Sequence, residues 1–273
     1  GLDVLLVTDA RAGEASIAAG GMLDTGRGVA AGPQQSVFRA ARDLWPAFTA
    51  ALAERTGVPV PLNRDGILEI ATDSDDAERL SGRANTESEW LDHTALVALE
   101  PHLGHALGAL RYRYDGAVNP LALIKALKHA VGRHIRVRVL QGTAASIEAS
   151  ATMSAGVTIH IADGASFTAM RVVVACGAWM PSLGGLPSAL PITPLRGQIM
   201  LVASKALRHV VVHEHAYAIP RGDGRTIVGS VDTDAGFDAS HTAEGVEQIR
   251  AQVARISPAL SRAHMLNTWA GLR

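Results

Sequence analysis

Hydrophobic positions recur along the chain in two patterns, which predict an alternation of strands and helices. Residues 2–8 and 171–176 are continuous apolar runs, the kind found in parallel strands that are covered on both faces. Residues 36–56 repeat apolar side chains at helical spacing, and Gly57 is expected to end that helix. Shorter runs, several of them alternating, predict further strands at 66–72, 107–114, 135–148, 156–161, 166–170, 193–203, 209–220, 225–232 and 264–272.

Helix signals separate several of these strands. Asn119-Pro120 suits the N-cap and first position of one helix, and Thr242 suits the N-cap of another that runs through Ile256. Residues 75–98 are polar and are also expected to be helical. The whole pattern predicts an α/β (α+β) fold with two interleaved domains, a doubly wound nucleotide-binding layer and a separate antiparallel sheet.

Composition narrows the function classes. A formal net charge of −1 over 273 residues gives no basic surface for nucleic acid and no polybasic patch for a membrane. No apolar run approaches the ~20 residues of a membrane-spanning helix. Cys176 is the single cysteine, so the chain forms no internal disulfide, and a reducing compartment such as the cytoplasm is expected.

The two ends of the sequence predict that it is truncated. Residue 1 is glycine rather than methionine, and a core-type strand follows at once. The last residues, 268–273, stop without a closing helix or a polar tail.

Two segments are candidates for a ligand site. Residues 13–22 are rich in glycine and alanine after an apolar strand, which suits either a phosphate site or a tightly packed turn. In residues 172–179 an apolar run is followed by a glycine between two small residues. A doubly wound fold places such a strand end at its ligand crevice, although ordinary strands end in the same way. Cys176 there is read as a small core residue rather than a nucleophile.

Polar candidates lie near the end of the chain. His213, His215 and Tyr217 alternate and are expected on one face of a strand, where a histidine pair without metal is favoured over a metal site. Tyr217 would suit hydrogen bonding to an anionic substrate. Arg273 ends an aromatic, small-residue strand and is either a carboxylate clamp or a surface arginine. No Ser-His-Asp or paired-carboxylate arrangement indicates a hydrolase.

Taken in order, several motifs resemble the family of FAD-dependent D-amino-acid oxidases, and most closely its glycine oxidase members. These motifs are EASIAAGGML (14–23), DGAVNP (115–120), VVVACGAW (172–179), PLRGQ (194–198), HAYAIPR (215–221), GRTIVG (224–229) and WAGLR (269–273). The resemblance implies a Rossmann-like FAD-binding domain from residues 1–60 and 121–192. It implies a mixed-sheet substrate domain from residues 61–120 and 193–273.

The resemblance also implies roles for individual residues. The expected cofactor contacts are Thr8, Asp9, Ala15, Ser16, Gly20, Gly21, Met22, Ala144 and Gly177, with Thr8 or Asp9 meeting the ribose. The expected catalytic residues are Tyr217 and Arg273, which would bind the substrate carboxylate, with His215 and Met22 lining the site. The family's GxGxxG turn is expected before Gly1, its closing glycine-rich segment and helix after Arg273, and Asn119 stands where the family usually has Asp.

The function implied is oxidation of glycine or a small D-amino acid by FAD and oxygen, giving the 2-oxo acid, ammonia and hydrogen peroxide. A secondary-amine oxidase or dehydrogenase, with sarcosine as an example, is the first alternative, and a non-catalytic truncated chain is the second. The resemblance further implies a possible homo-oligomer and a role in making the thiazole of thiamine.

Overall fold

The computed structural model describes residues 1–25, 27, 32–149, 156–186 and 190–273. Its strands, in chain order, are β1 (Val4–Thr8), β2 (Met22–Leu23), β3 (Leu62–Asn63), β4 (Ile67–Ala71), β5 (Ser88–Asp92), β6 (Gly108–Tyr112), β7 (Gly116–Val118), β8 (Val137–Gln141), β9 (Ala144–Ala149), β10 (Val157–Ile161), β11 (Ser166–Ala169), β12 (Arg196–Ala203), β13 (Val210–His213), β14 (Ala216–Pro220), β15 (Arg225–Thr233) and β16 (Met265–Leu272). Its helices are α1 (Ala15–Ala18), α2 (Pro33–Thr56), α3 (Ser74–Ser81), α4 (His93–Leu99), α5 (Pro120–Gly132), α6 (Ala243–Ile256) and α7 (Pro258–Ser261), with 3-10 turns at Pro101–Leu103 and Gly177–Ser182.

A large mixed sheet carries most of the core. Its strand order is β16-β12-β15-β14-β13-β4-β6-β5, and β13 runs parallel to β4. One face, here called the α6 face, packs residues such as Val211 and Val228 against Ile249 and Val253 of α6. The opposite face buries a second cluster and is here called the Tyr217 face, because Tyr217 packs against that cluster together with Met22 and Trp269.

Three smaller sheets complete the described part of the chain. β1 pairs in parallel with β8, β10 pairs with both β9 and β11, and β7 lies between β2 and β3. The large sheet uses strands from 61–120 and 193–273, whereas β7 joins residues from both predicted domains. The division into two domains remains a prediction.

The predicted helix boundaries are confirmed where capping chemistry defined them. The Asn119 side chain accepts a hydrogen bond from the Ala122 amide at 3.2 Å, and the Thr242 hydroxyl accepts one from the Gly245 amide at 3.0 Å. Gly57 ends α2 in the left-handed conformation with φ of 69°.

The two continuous apolar runs are less buried than expected. Residues 171–176 form no strand in the described part of the chain, and Val173 is 89% exposed. In β1, Val4 and Leu6 are 46% and 41% exposed, since β8 is its neighbour within the described chain and one face stays open. The prediction that both runs are covered on two faces is therefore wrong for this structure.

Three other segments divide differently from the sequence prediction. Residues 75–98 contain α3 and α4 but also β5, because Trp90 pairs opposite Leu110 at the edge of the large sheet. Residues 135–148 split at a turn into β8 and β9, which join different sheets. Residues 209–220 form a hairpin, β13 and β14, rather than one strand. Among the described residues no helix is long and apolar enough to cross a membrane.

Candidate functional site

The Tyr217 face has a continuous row of paired positions that ends near Trp269. Trp269 lies opposite Ile199, Ile199 opposite Gly229, and Gly229 opposite Tyr217. Tyr217 is partly buried, and this burial raises the pKa of its hydroxyl, while a hydrogen bond to Ser230 and the charge of Arg273 act in the opposite direction. The hydroxyl therefore stays protonated at neutral pH and can donate a hydrogen bond to an anion.

Arg273 lies on the same face, near enough for its charge to act on the Tyr217 hydroxyl. It follows β16, and its amide donates to the Leu195 carbonyl at 2.9 Å. Its Nη2 donates to Asp232 Oδ1 at 2.6 Å, and the side chain passes over Gly197, where a Cβ would collide with the guanidinium. The Arg273 side chain remains 53% exposed, so a ligand can reach it.

The segment 20–22 packs against the Tyr217 face, with Gly20 next to Tyr217. A Cβ placed on Gly20 would be 2.9 Å from Ile219 Cδ1 and 3.6 Å from Tyr217 Oη, so the backbone itself lies close to the sheet. Arg221 holds this segment by donating to the Gly20 carbonyl at 2.7 Å and to the Val118 carbonyl at 3.2 Å. Burial lowers the pKa of Arg221.

The short helix α1 is fixed to the strand that leads to Arg273. Trp269 Nε1 donates to the Ala18 carbonyl at 3.2 Å, and the Leu272 amide donates to the Gly13 carbonyl at 2.8 Å. Ala15 and Ser16 in α1 are exposed. The predicted contacts Ala15, Ser16, Gly20 and Met22 are thus brought to the same end of the Tyr217 face.

Asp115 anchors the chain just after β2. The Thr25 amide and hydroxyl donate to its carboxylate at 3.1 and 2.7 Å, and Arg42 approaches the same carboxylate at 3.5 Å. Burial raises the pKa of Asp115, against the effect of the Thr25 hydrogen bonds. The DGAVNP motif therefore supports the position of Met22.

A second group of predicted residues meets at the carboxyl ends of β1 and β8. The Thr8 carbonyl accepts from the Gly142 amide at 2.9 Å, and Asp9 Oδ2 accepts from the Thr143 hydroxyl at 2.6 Å, next to Ala144. The Thr143 hydrogen bond, followed by that of Arg11, holds the pKa of Asp9 below its usual range. A fixed carboxylate at this edge of a parallel sheet is the chemistry that binds the ribose of a dinucleotide, so these residues fit FAD.

Gly177 begins a 3-10 turn near the same edge, with φ of 54°. Arg11 links the two places, since it pairs with Asp9 at 3.1 Å and lies 5.7 Å over the Trp179 ring. Cys176, just before the turn, is half-buried in the unpaired segment rather than in a core strand.

The predicted shared face of His213, His215 and Tyr217 is wrong, because the β13–β14 hairpin turns at Glu214 and His215. His213 is buried, with Nε2 3.1 Å from the Thr72 hydroxyl, and burial lowers its pKa. His215 is exposed and lines a shallow cavity of about 250 Å³ against Arg255 of α6, on the side of the sheet away from Tyr217. The described residues contain no group of three or more histidine, cysteine or acidic side chains that could hold a metal ion.

Sequence reasoning missed several residues that the structure places at this site. Asp232, Ser230, Trp269 and Arg221 all contact or adjoin predicted residues, and Thr143 fixes Asp9. Alternation along β15 would place Asp232 on the face opposite to that of Gly229, and the irregularity in the β12–β15 register brings both residues to the same face. The pairing of Asp232 with Arg273 follows from the register of the strands, which the sequence does not show.

Comparison with known proteins agrees with these observations. All of residues 1–273 match the family model described as FAD dependent oxidoreductase. The bifunctional protein ThiO/ThiG of Synechocystis sp. is 30% identical over 281 aligned residues, covering all of this chain and 41% of that protein. A glycine oxidase of Geobacillus kaustophilus is 28% identical over 246 residues, covering 85% of this chain and 64% of the enzyme. The chain thus spans less than two thirds of the length of these relatives.

The fold comparison gives the same grouping. The crystal structure of glycine oxidase from Geobacillus kaustophilus superposes with a TM-score of 0.85 and 25% sequence identity, covering 98% of this chain and 75% of that one. The mixed helix and strand architecture is therefore that of these flavoenzymes. With the family model matching the chain from end to end, this protein belongs to the family of FAD-dependent oxidoreductases.

Proposed function

We propose that the protein uses oxygen to oxidise the amine of glycine or a small D-amino acid to an imine, with formation of hydrogen peroxide. Water then hydrolyses the imine to the 2-oxo acid and ammonia. The observation that carries this proposal is that Arg273 and a partly buried, protonated Tyr217 lie on one sheet face, next to the backbone of Gly20. A guanidinium beside a phenol hydroxyl is complementary to a carboxylate. The similarity to glycine oxidases supports a small amino acid as the molecule that carries it.

The residues proposed to hold FAD form two groups. Thr8, Asp9 and Ala144 would meet the adenosine half. The other group, which would lie against the ring and phosphates, is Ala15, Ser16, Gly20, Gly21, Met22 and Gly177. When bound, FAD supplies the acceptor for two electrons, and oxygen takes them up to give hydrogen peroxide.

The chain's own residues position the substrate. Arg273 pairs with the substrate carboxylate, and the Tyr217 hydroxyl donates to the same group. This fixes the direction of the α-carbon, while Met22 and Trp269 cover the site with apolar surface and limit the access of water. Placement and charge pairing carry the catalysis, and no strong base is required. His215 lies on the other side of the sheet and takes no part in this arrangement. The cytoplasm is proposed from the single cysteine, and a thiamine-related role from the resemblance to the family.

The test uses Arg273→Ala and Tyr217→Phe in the full-length protein. Removing the guanidinium should lower kcat/KM for glycine by about 10²-fold, mainly through KM, because truncating one side of a charge pair costs about 2–5 kcal/mol. Removing the hydroxyl should cost about tenfold. Initial rates of peroxide formation measure both, with flavin absorbance as the check on cofactor content and Arg262→Ala, an exposed arginine, as the control.

A substrate panel separates the alternatives. Glycine and D-alanine should turn over faster than sarcosine and D-proline, whereas the reverse order indicates a secondary-amine enzyme. A protein that retains FAD but oxidises none of the four supports the non-catalytic alternative. Unchanged kinetics in Arg273→Ala would remove the carboxylate-binding role on which the proposal depends.

A further inference from the structure

Arg273, the residue proposed to bind the substrate carboxylate, already forms an ion pair with Asp232. Asp232 Oδ1 lies 2.6 Å from Arg273 Nη2, and the two side chains are 41% and 53% exposed. A guanidinium has five N–H donors, and this pair uses one of those on Nη2. Arg273 can therefore bind one further carboxylate while it keeps Asp232.

The sheet register determines where Asp232 lies. Asp232 lies opposite Gly197 of β12, and Gly197 lies opposite Gly271 of β16. Gly197 is two residues before Ile199, which belongs to the row of Ile199, Gly229 and Tyr217. Gly197 leaves the space through which the Arg273 side chain reaches Asp232 from two strands away. Asp232 is therefore a neighbour of the substrate site rather than a distant surface charge.

The charge of Asp232 reaches the Tyr217 hydroxyl. It raises the pKa of Tyr217, whereas the Arg273 charge lowers it. The Arg273–Asp232 pair itself carries no net charge, and Arg221 is a further cation whose charge reaches the Tyr217 hydroxyl. One carboxylate from a ligand is matched by Arg273, but a second carboxylate beside it meets the negative charge of Asp232, because the Arg221 guanidinium is already bound to the Gly20 and Val118 carbonyls.

We propose that Asp232 is a specificity-determining residue that restricts the site to ligands with one carboxylate and excludes dicarboxylates. This inference rests on the proposed function, because it takes Arg273 as the site of the substrate carboxylate. Because Asp232 is proposed to select between ligands, its loss should change the ratio of the affinities for a monocarboxylate and a dicarboxylate rather than change both affinities equally.

The probes are succinate and its monoamide, succinamate, which have nearly the same shape and differ by one negative charge. Dissociation constants are measured by calorimetry on the FAD-loaded full-length protein, so turnover is not required. The unmodified protein should bind succinamate about tenfold more tightly, since the pair is partly screened by solvent. Asp232→Asn and Asp232→Ser should both bring the ratio close to one by strengthening succinate binding.

Asp223→Asn is the matched control, because Asp223 pairs with Arg225 in the same kind of close ion pair at an exposed hairpin turn. It should leave the ratio unchanged. If both Asp232 variants weaken the two ligands together, Asp232 only orients Arg273 and the inference is overturned. If the unmodified protein binds neither ligand, the carboxylate role of Arg273 fails and the proposed function fails with it, which is a different result from an unchanged ratio.

Discussion

Glu100 shows how a single buried carboxylate connects distant parts of the chain. It is 3% exposed, and Oε1 accepts from the Arg208 and His209 amides at 2.9 and 2.7 Å and lies 2.6 Å from His209 Nδ1. Burial by itself would raise the pKa of Glu100, but the hydrogen bonds from His209 and Arg208 outweigh it and lower that pKa. The carboxylate thus stabilises the start of β13, the neighbour of β14 and Tyr217.

Replacing Glu100 with Gln should reduce the free energy of unfolding by about 2 kcal/mol at neutral pH, because a buried ionised acceptor loses its charge. A lowered carboxyl pKa gives stability above the unfolded pKa and loses it as the pH falls through the folded value. The unmodified protein should therefore lose more stability than Glu100→Gln between about pH 6 and about pH 3. Urea denaturation checks this, with exposed Glu247→Gln as control, and parallel pH curves would contradict it.

Motif order predicted Tyr217 and Arg273 from the sequence, but not their partners. Asp232 and Ser230 become relevant only because an irregularity in the β12–β15 register, between the pairs Gln198–Val231 and Ile199–Gly229, sets which residues oppose β12. A short sequence pattern contains no information on such pairing. His215 shows the same limit, since a two-residue turn placed it away from Tyr217 although the spacing suited a strand.

At the scale of elements, the position of residues 20–22 depends on Arg221, which directly follows β14 at the start of the turn into β15. The guanidinium donates to two carbonyls, those of Gly20 and Val118, and so fixes the segment to β7 at the same time. The Val118 amide also donates to the Gly21 carbonyl at 2.9 Å. The Arg221 guanidinium therefore holds the backbone segment that is expected to lie against the flavin.

Arg221→Lys should lower the free energy of unfolding by about 1–2 kcal/mol, because an ammonium cannot reach both carbonyls with the same geometry. It should also weaken FAD binding several-fold, by about the same energy. Urea denaturation and fluorescence titration of FAD measure the two effects, and Arg208→Lys, an exposed arginine, is the control. An unchanged affinity for FAD would show that Arg221 does not position the segment.

Elements with local signals were predicted well, and those that depend on neighbours were not. The caps at Asn119 and Thr242 and the Gly57 terminus are local, so α5, α6 and α2 followed from the sequence. Residues 171–176 have an equally clear apolar pattern, but a strand also needs a hydrogen-bonding neighbour. β5 was missed for the converse reason, because its pairing with β6 overrides a polar local sequence.

For the whole molecule, the uneven burial predicts two levels of local stability. Ile67, Val212 and Ile219 in the large sheet are fully buried, whereas Leu2, Val4 and Leu6 around β1 are 81%, 46% and 41% exposed. Amides of β4 and β12–β15 should therefore exchange with deuterium slower than those of β1 and β8 by a factor of about 10² or more. Similar exchange rates throughout would argue against the division into two domains.

Adding FAD should change this pattern selectively, because a ligand protects the amides it orders. Slower exchange is expected at residues 8–22 and 143–145, with little change in β4, since the cofactor residues proposed here lie at the ends of β1 and β8 and along 15–22. FMN lacks the adenosine half and should protect 15–22 without protecting Asp9 and Thr143. Equal protection by FMN and FAD at those two residues would contradict the ribose role of Asp9, whereas a difference confined to them would join the two groups of residues into one dinucleotide site.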